Sequence, residues 1–401
     1  MIRGRAALCH RELENARATT RVCRGRVASR GGLVHNFARL RRAFTMRRRP
    51  EHSLDFADSL QSFLVRATGD PEASIEELKR HTEGFSLETV SFAAAWREAG
   101  EERASRRLVL RRQPAAGLLE PYDLGPQVTA LRAVHGSMAV PRVRWFEQDP
   151  SVLGAPFYVM DFVEGDVPLP MLRPDGTPPI VDEAERRAVA RDFMANLVRL
   201  HRFDWQASAV AAFPVPSGTR DAALRQILFW RQTLERARPD PQPMLVRALR
   251  ELDRRAARLP EDGDVRLVHG DFRTGNFLRL GAEVMAILDW EMVHLGDPME
   301  DLAWAACRLW RGQSRLAGVL VPPEDLYRVY EEEGGFAVDR ERLAFYDLLS
   351  GVKMAVIMLT GLRAFADART DDIRMAIFRH QLAGVNIILA ESLGLIPSLD
   401  A

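Results

Sequence analysis

Residues 268 to 301 constrain this chain most, because polar residues at fixed spacings interrupt a run of short apolar segments. In the stretch HGDFRTGN, which begins at His269, an asparagine follows Asp271 by five residues, and Asp289 follows Asp271 by 18. An apolar stretch leads directly into Asp289, as a buried strand would. The segment therefore predicts two short strands around a polar loop.

The residue types in this loop suit phosphoryl transfer. A carboxylate such as Asp271 can orient a hydroxyl nucleophile and accept its proton. Asn276 and Asp289 offer the hard oxygen ligands that magnesium prefers, and Arg273 can bring positive charge to the transferring phosphoryl group. A lone His-Gly-Asp triplet or Asp-Trp pair is commonly a structural turn, but the combination favours a chemical site. His269 is expected to be a buried orienting residue rather than an acid or base.

The composition excludes several kinds of protein. With 401 residues, 47% hydrophobic and 28% charged, the chain is long enough for two lobes and has an ordinary globular balance. It has no apolar run of about 18 residues, so we expect no membrane span. Three scattered cysteines lack metal-ligand spacing and fit a reducing cytoplasm. Lysine occurs only at Lys79 and Lys353, so a cation in the chemical centre is expected to be an arginine.

Charge is concentrated at the start of the chain. Residues 1–50 contain 14 arginines and two acids, Glu12 and Glu14, which gives +12 and leaves −11 for the rest of a chain of net charge +1. Such a tail can bind nucleic acid or an anionic membrane, or serve as a transit peptide. It lacks apolar periodicity and Met46 is a plausible alternative start, so we interpret it as a disordered extension. The acidic remainder argues against a nucleic-acid partner.

The rest of the chain predicts an α+β protein with two lobes. A β-rich N-lobe is expected at residues 51–163 and a helical C-lobe at residues 164–401, with a ligand cleft at their junction. The N-lobe elements predicted are a short helix or turn at 75–79, then a strand, a turn and a strand over 82–92, with 91–97 assigned to the second of these strands. Further strands are predicted at 107–111, 140–146 and 156–163, and a helix at 124–134. The C-lobe elements predicted are a connector at 165–179, helices at 181–203, 221–237 and 243–259, and further helices after 297.

The polar loop and its flanking strands resemble the aminoglycoside phosphotransferase and choline kinase group, which has the bilobal protein-kinase-like fold. In that group His-Gly-Asp-x-x-x-x-Asn is the catalytic loop, and an aspartate after the next strand binds metal. The resemblance covers residues 75–390 and implies ATP and Mg²⁺ as cofactors. It implies that Asp271 is the catalytic base, that Asn276 and Asp289 bind magnesium, and that Asp297 anchors the catalytic loop or a helix start.

The resemblance extends to the nucleotide side of the cleft. Arg111 occupies the strand position that presents a cation to the α- and β-phosphates, and backbone groups near Asp161 and Val163 are expected to pair with the purine edge. Two features depart from the family pattern. The phosphate-covering loop, residues 82–89, has one glycine and two acids. The helix glutamate that pairs with the strand cation is replaced by Gln127, which can still hydrogen-bond Arg111 but without a charge. Glu120 and Asp123 are alternative partners for Arg111.

The motifs VLRRQP and GAPFYVM are similar to those of the kinase-like domain fused to some acyl-CoA dehydrogenases. This similarity implies a small-molecule hydroxyl acceptor, such as a hydroxyacyl compound. An aminoglycoside is less favoured, because it needs an acidic pocket and the last helices carry few clustered acids. The alternative is a weak or inactive kinase-like nucleotide-binding module, which Gln127 and the acidic loop favour. The sequence leaves the oligomeric state open.

Overall fold

The computed structural model describes residues 53–81, 87–98, 102–237, 239–312 and 314–397. Residues Phe56–Ala401 make up one structural unit that contains both predicted lobes. The basic extension at residues 1–50 and residues 82–86 of the predicted phosphate-covering loop lie outside the described residues. The expectations for these two segments, and the predicted boundary between residues 163 and 164, stay predictions.

An antiparallel sheet dominates the first part of this unit. Its strands are β1 Ser74–His81, β2 Glu88–Trp96, β3 Ala104–Arg112, β4 Val143–Glu147 and β5 Phe157–Asp161, in the spatial order β1-β2-β3-β5-β4. Strand β3 buries Leu108 and Leu110, so by alternation Arg111 lies on the opposite face. The strands predicted from alternating apolar residues are confirmed, with small shifts at their ends.

A helix that the sequence did not predict covers one face of the sheet. This helix, α1 Ser53–Thr68, buries Phe56, Leu60 and Leu64. These residues recur every four positions, so they form one apolar stripe that packs against the buried side chains of β2, β3 and β5.

The predicted short helix or turn at residues 75–79 is wrong. The segment is strand β1, which pairs antiparallel with β2 from Ser74 to His81. A bulge between Glu76 and Lys79 breaks the two-residue alternation, and Glu77 there has a positive φ of 51°. The sequence pattern therefore did not predict a strand, although the backbone of this segment pairs with that of β2.

Helices dominate the chain after β5. The helices are α2 Leu124–Val134 and α3 Pro150–Leu153 within the sheet region, then α4 Glu183–Arg202, α5 Thr219–Ala237, α6 Pro243–Ala256, α7 Met299–Ala306, α8 Pro323–Glu332, α9 Arg340–Ala366 and α10 Ile373–Ser392. The helix predicted at 124–134 has the bounds of α2, and α4, α5 and α6 begin and end within three residues of their predicted limits.

Helix α9 lies at the centre of the helical part. By length and composition, α9 is the one helix among the described residues that could cross a membrane. However, 83% of its most apolar 18-residue stretch is buried within the protein. Its buried side chains belong to the same core as those of α5, α7 and α10. Packing within the fold therefore accounts for its apolar composition.

Two pairs of short strands carry the polar loop. Strand β6 Arg266–Val268 pairs with β9 His294–Gly296, and β7 Phe277–Leu280 pairs with β8 Glu283–Ile287. The loop between β6 and β7 is fixed to the core by Phe272, whose ring stacks on Phe193 of α4 at 4.2 Å between centroids. The polar side chains of this loop consequently have a rigid base.

Helix α1 is expected to be an integral part of the sheet's core. Leu64→Ala should lower the free energy of unfolding by about 2–5 kcal/mol, because the leucine is 1% exposed and its removal leaves a cavity. Urea unfolding measures this loss. The exposed Ser62→Ala on the same helix is the control and should change stability by less than about 0.5 kcal/mol. Equal stability of the two variants would contradict the assignment.

Candidate active site

The loop that follows β6 is fixed by its glycine. Gly270 has φ of 78°, and a Cβ there would lie 2.4 Å from the carbonyl oxygen of Met292. A larger residue at this position would therefore clash with the backbone at Met292 and displace the loop. The glycine of the His-Gly-Asp motif thus sets how closely Asp271 approaches the rest of the site.

Asp301, at the start of α7, holds the backbone of this loop. Its carboxylate accepts hydrogen bonds from the backbone N–H groups of His269 and Gly270, each at 2.8 Å. It also pairs with His201 at 3.3 Å and is completely buried. Burial alone would raise the pKa of Asp301, but the hydrogen bond from His201 and the nearby charges hold it below its usual value. Asp301 is therefore a buried anion that fixes the loop.

Of the two alternatives expected for Asp297, the structure supports the helix start. Asp297 accepts a hydrogen bond from the N–H of Met299 at 2.9 Å, so it caps the start of α7, and it pairs with Arg342. The backbone of the loop between β6 and β7 is held by Asp301 instead. The sequence did not reveal Asp301, because Asp297 and Asp301 both follow Gly296 closely. Only the direction of helix α7 decides which of the two carboxylates reaches the loop.

His269 is a buried orienting residue, as expected. It is fully buried, its Nδ1 accepts the N–H of Asp271 at 3.1 Å, and its Nε2 lies 2.9 Å from the carbonyl oxygen of Leu288. These partners require a neutral ring with the proton on Nε2. Burial lowers the pKa of His269, which favours the same neutral form. The ring thus links the loop to the strand that leads into Asp289.

Three donors surround the carboxylate of Asp271. Trp304 donates its indole N–H to Oδ1 at 2.6 Å, Arg273 donates Nε–H to Oδ1 at 3.1 Å, and Asn276 donates its amide to Oδ2 at 2.6 Å. Asp271 is only 8% exposed, so this orientation is fixed. The sequence analysis missed Trp304, since a tryptophan within a helix 33 residues away is indistinguishable from a core residue.

Asn276 and Asp289 come together at one end of the β7–β8 pair. Phe277 pairs with Ile287, and the N–H of Leu288 donates to the carbonyl of Asn276 at 2.8 Å. Asn276 therefore lies opposite Leu288, the residue just before Asp289. Asp289 has φ of 60°, a left-handed conformation that aspartate tolerates better than most residues. The strand pairing therefore brings together the two residues predicted to bind magnesium.

Arg111 of β3 reaches across the cleft to Asp289. The guanidinium forms an ion pair with the Asp289 carboxylate, and the two side chains are 15% and 29% exposed. Burial alone would raise the pKa of Asp289, but Arg111 lowers it below its usual value. The predicted nucleotide-side cation and the predicted metal ligand are thus direct partners in this structure.

Gln127, Glu120 and Asp123 occupy other positions. Gln127 is buried and accepts a hydrogen bond from the hydroxyl of Tyr158 at 3.2 Å. Glu120 pairs with Arg369, and Asp123 accepts the N–H of Gly125 at the start of α2. The suggested substitution of Glu120 or Asp123 for the family glutamate is therefore wrong, because both carboxylates are committed elsewhere and Asp289 pairs with Arg111.

The backbone at the end of β5 is hydrogen-bonded to the segments on both sides of it. Phe162 donates its N–H to the carbonyl of Arg107 on β3, so the neighbouring residues Asp161 and Val163 turn their backbone groups the other way. The N–H of Asp161 already donates to Arg142, and its carboxylate pairs with Arg144. That backbone groups near Asp161 and Val163 pair with the purine edge stays a prediction.

Arg273 lies between the loop and Trp310. Its guanidinium is 4.2 Å from the centroid of the Trp310 ring and donates to the carbonyl of Thr274 at 3.2 Å. Together with its bond to Asp271, these contacts hold a positive charge beside the predicted base. Burial raises the pKa of Asp289, and the charge of Arg273 lowers it together with the larger effect of Arg111, so Arg273 acts on both carboxylates.

A second row of charges lies beneath the loop. Glu300 of α7 is buried; one of its carboxylate oxygens is 3.2 Å from Nε2 of His294, and the other is 3.5 Å from Nζ of Lys353. Lys353 is 2% exposed and donates to the carbonyl of Gly270. The cations that contact Asp271 and Asp289 are arginines, as expected, and Lys353 is a further buried cation beneath the loop.

His294 makes stability depend on pH. Burial lowers its pKa, but Glu300 and the carbonyl of Met292 outweigh burial, so the pKa lies above its usual value. The charged form therefore stabilises the fold fully below the unfolded pKa of about 6.5, and this contribution is lost as pH rises through the raised pKa. The melting-temperature difference between the wild type and His294→Gln should be largest near about pH 6 and shrink toward about pH 9.

The Glu300→Gln background provides the control for this titration. Without the carboxylate, His294→Gln should give a melting-temperature difference that varies little with pH. A difference that grows with rising pH in the wild-type background would contradict the assigned direction.

Solved structures share this architecture. A putative aminoglycoside phosphotransferase from Ralstonia eutropha aligns with a TM-score of 0.62 and 21% identity, over 85% of this chain and 99% of that one. A choline/ethanolamine kinase family protein from Mesorhizobium loti aligns with a TM-score of 0.53 and 20% identity, over 86% and 96%. The fold is therefore the α+β bilobal kinase-like fold that the sequence predicts.

The sequence comparison then defines the family. Residues 81–346, more than half of the chain, match the family model described as the phosphotransferase enzyme family, and the protein belongs to that family. Mouse acyl-CoA dehydrogenase family member 10 is 29% identical over 252 residues, and chicken family member 11 is 29% identical over 332. These alignments cover 62% and 77% of this chain but only 22% and 40% of the relatives.

Proposed function

We propose that this protein transfers the γ-phosphoryl group of ATP, with Mg²⁺, to a hydroxyl group of a small molecule. The carboxylate of Asp271 carries this proposal, because three donors hold it beside Asn276 and close to the strand that leads into Asp289. A relative by fold, a mutant of the aminoglycoside phosphotransferase APH(4)-Ia, was solved as a ternary complex with ADP and hygromycin B. That complex supports nucleotide use by the fold.

Asp271 is the residue that would act on the acceptor. Its two oxygens are oriented by Trp304 and Arg273 on one side and by Asn276 on the other. A carboxylate fixed in this way can align the acceptor hydroxyl and take its proton as the new oxygen–phosphorus bond forms. Because the group is preoriented, little reorganisation is needed at the moment of reaction.

The residues at the end of the β7–β8 pair fit a magnesium ion. Asn276 uses its amide nitrogen on Asp271, which leaves its side-chain oxygen as a ligand, and Asp289 offers a carboxylate that is 29% exposed. The described residues contain no cluster of three or more histidine, cysteine or acidic side chains suited to a metal. Magnesium commonly takes only one or two protein carboxylates, with phosphates and water as further ligands, and neutralises phosphate charge.

Arg111, Asp161 and Val163 would hold the nucleotide. The Arg111 guanidinium lies on the cleft face of β3, and its Nε–H is buried without a hydrogen-bond partner in this structure. A phosphate oxygen would supply a partner for such a donor. The carbonyl of Asp161 and the N–H of Val163 would pair with the purine edge.

The acceptor is proposed to be a hydroxyacyl compound or a related metabolite rather than an aminoglycoside. Acids of the last two helices are already paired: Asp347 with Ser392, Asp367 with Arg363, and Asp372 with Arg374. They are thus poorly suited to bind a polycation. The names of the curated relatives, acyl-CoA dehydrogenase family members, support an acyl-type acceptor. Since the cysteines are few and scattered, we place the reaction in the cytoplasm.

Asp271→Asn tests the assignment of the base. We expect its kcat for ATP-dependent phosphate transfer to fall by about two to three orders of magnitude, since a positioned base is lost while the shape is kept. Acceptors would be found by screening hydroxyacyl-CoAs, hydroxy acids, amino alcohols and aminoglycosides with labelled ATP. The exposed Asp264→Asn is the control and should retain wild-type turnover. Unchanged turnover in Asp271→Asn would refute the role of Asp271.

Thermal unfolding separates this function from its alternative. ATP with Mg²⁺ should raise the melting temperature by mass action, and Asp289→Asn should diminish the rise. Gln127, which bonds to Tyr158 instead of Arg111, favours a weak or inactive nucleotide-binding module. Stabilisation by ATP without phosphate transfer to any acceptor would support that module. The absence of any stabilisation at millimolar ATP would contradict both readings.

A further inference from the structure

Lys353 is a buried lysine on α9 that touches the catalytic loop. It is 2% exposed, and its ammonium group donates a hydrogen bond to the carbonyl of Gly270. The same nitrogen lies 4.2 Å from the centroid of the Trp304 ring and 3.5 Å from a carboxylate oxygen of Glu300. Lys353 therefore contacts the loop backbone, an aromatic face and a counter-charge at once.

These contacts compensate for burying a cation. An ammonium group removed from water is strongly destabilising unless it is paired and hydrogen-bonded. Glu300 provides the opposite charge, Gly270 provides an acceptor, and the Trp304 ring adds a cation–π interaction that is stronger in a desolvated site. An arginine has a planar head and could not present one compact charge to these three partners in the same space.

Two of the three partners of Lys353 connect directly to Asp271. Gly270 precedes Asp271 in the chain, and the carbonyl of Gly270 belongs to the same peptide unit as the N–H of Asp271. Trp304 donates its indole N–H to Oδ1 of Asp271 at 2.6 Å, the same oxygen that Arg273 contacts. Lys353 thus acts on the predicted base through the backbone and through an aromatic side chain.

We propose that Lys353 is a positioning residue for phosphoryl transfer, which fixes Gly270 and Trp304 so that the Asp271 carboxylate is presented to the acceptor hydroxyl. This inference rests on the proposed function for its kinetic consequence. Its structural consequence, the hydrogen bond from Trp304 to Asp271, can be measured without any turnover. Asp301 accepts hydrogen bonds from two N–H groups of the same loop, whereas Lys353 donates one to a carbonyl of that loop. The two residues therefore hold the loop backbone through its donors and its acceptor.

Lys353→Met is the first test, because methionine keeps the length of the side chain and removes the charge. With ATP, Mg²⁺ and water as the acceptor, kcat for hydrolysis should fall by about 100-fold, since a small displacement of a reacting group has this effect. KM for ATP should stay within about twofold, because the nucleotide residues are not contacted. Ser350→Ala, a buried change on the same helix whose hydroxyl bonds only to Tyr346, should leave both constants unchanged.

The double variant Lys353→Met/Glu300→Gln separates positioning from stability. Glu300 also pairs with His294, so the melting temperatures are compared at about pH 9, where the charge on His294 is largely lost. At this pH each single variant leaves one buried charge unpaired, so each should lower the melting temperature by at least about 5 °C. The double variant removes both charges and should recover most of this loss. Its kcat should nevertheless stay low. Recovery of kcat together with the melting temperature would show that Lys353 serves stability alone and would overturn the proposal.

The indole N–H of Trp304 gives a readout that is independent of turnover. In protein labelled with ¹⁵N-tryptophan, its resonance would be assigned with Trp304→Phe. In both the single and the double Lys353→Met variants this proton should exchange with solvent at least about tenfold faster than in the wild type. Unchanged exchange would overturn the proposal. If the wild type neither hydrolyses ATP nor transfers phosphate, the proposed function fails, while this measurement still decides whether Lys353 positions Trp304.

Discussion

The arrangement of the site depends on the buried carboxylate of Asp301. It accepts two consecutive N–H groups, those of His269 and Gly270, and so fixes the backbone immediately before Asp271. Once this backbone is fixed, His269 can receive the N–H of Asp271 and reach the carbonyl of Leu288, which joins the loop to the strand before Asp289. A carboxylate accepts such charge-assisted bonds strongly when it is removed from water. One buried anion on α7 thereby determines the relative placement of both predicted functional aspartates.

The two sides of the cleft are built differently. On the side predicted to receive the acceptor, Asp271 is held by donors from its own loop and from α7. On the nucleotide side, Arg111 has no carboxylate partner on α2, where Gln127 bonds to Tyr158, and pairs with Asp289 across the cleft. The charge of the nucleotide-side cation is thus balanced by the opposite lobe. A ligand that brings phosphate and magnesium would give each member of this pair a new partner.

Much of the fold and the central motif could be predicted from sequence, because both are encoded locally. Helix α2 follows from its apolar spacing, and the loop from Asp271 to Asn276 follows from residues five positions apart. Strand β1 and helix α1 could not be predicted in the same way. A bulge displaces the alternation in β1, and α1 is stabilised by packing on strands that come later in the chain. Tertiary contacts decide the structure of both segments.

The residues that the sequence did not reveal share a physical origin. Asp301, Trp304 and Lys353 come from helices α7 and α9, and each has an ordinary core interpretation when its helix is considered alone. Their meaning arises only when α7 and α9 pack beneath the loop, where a buried acid, an indole N–H and an ammonium group meet the backbone around Gly270 and the carboxylate of Asp271. Polar groups are retained in a core only when their partners are fixed, because an unpaired buried donor or charge is strongly destabilising. The core under the loop is therefore specified by the same contacts that orient Asp271, and stability and the orientation of this carboxylate are coupled in this part of the protein.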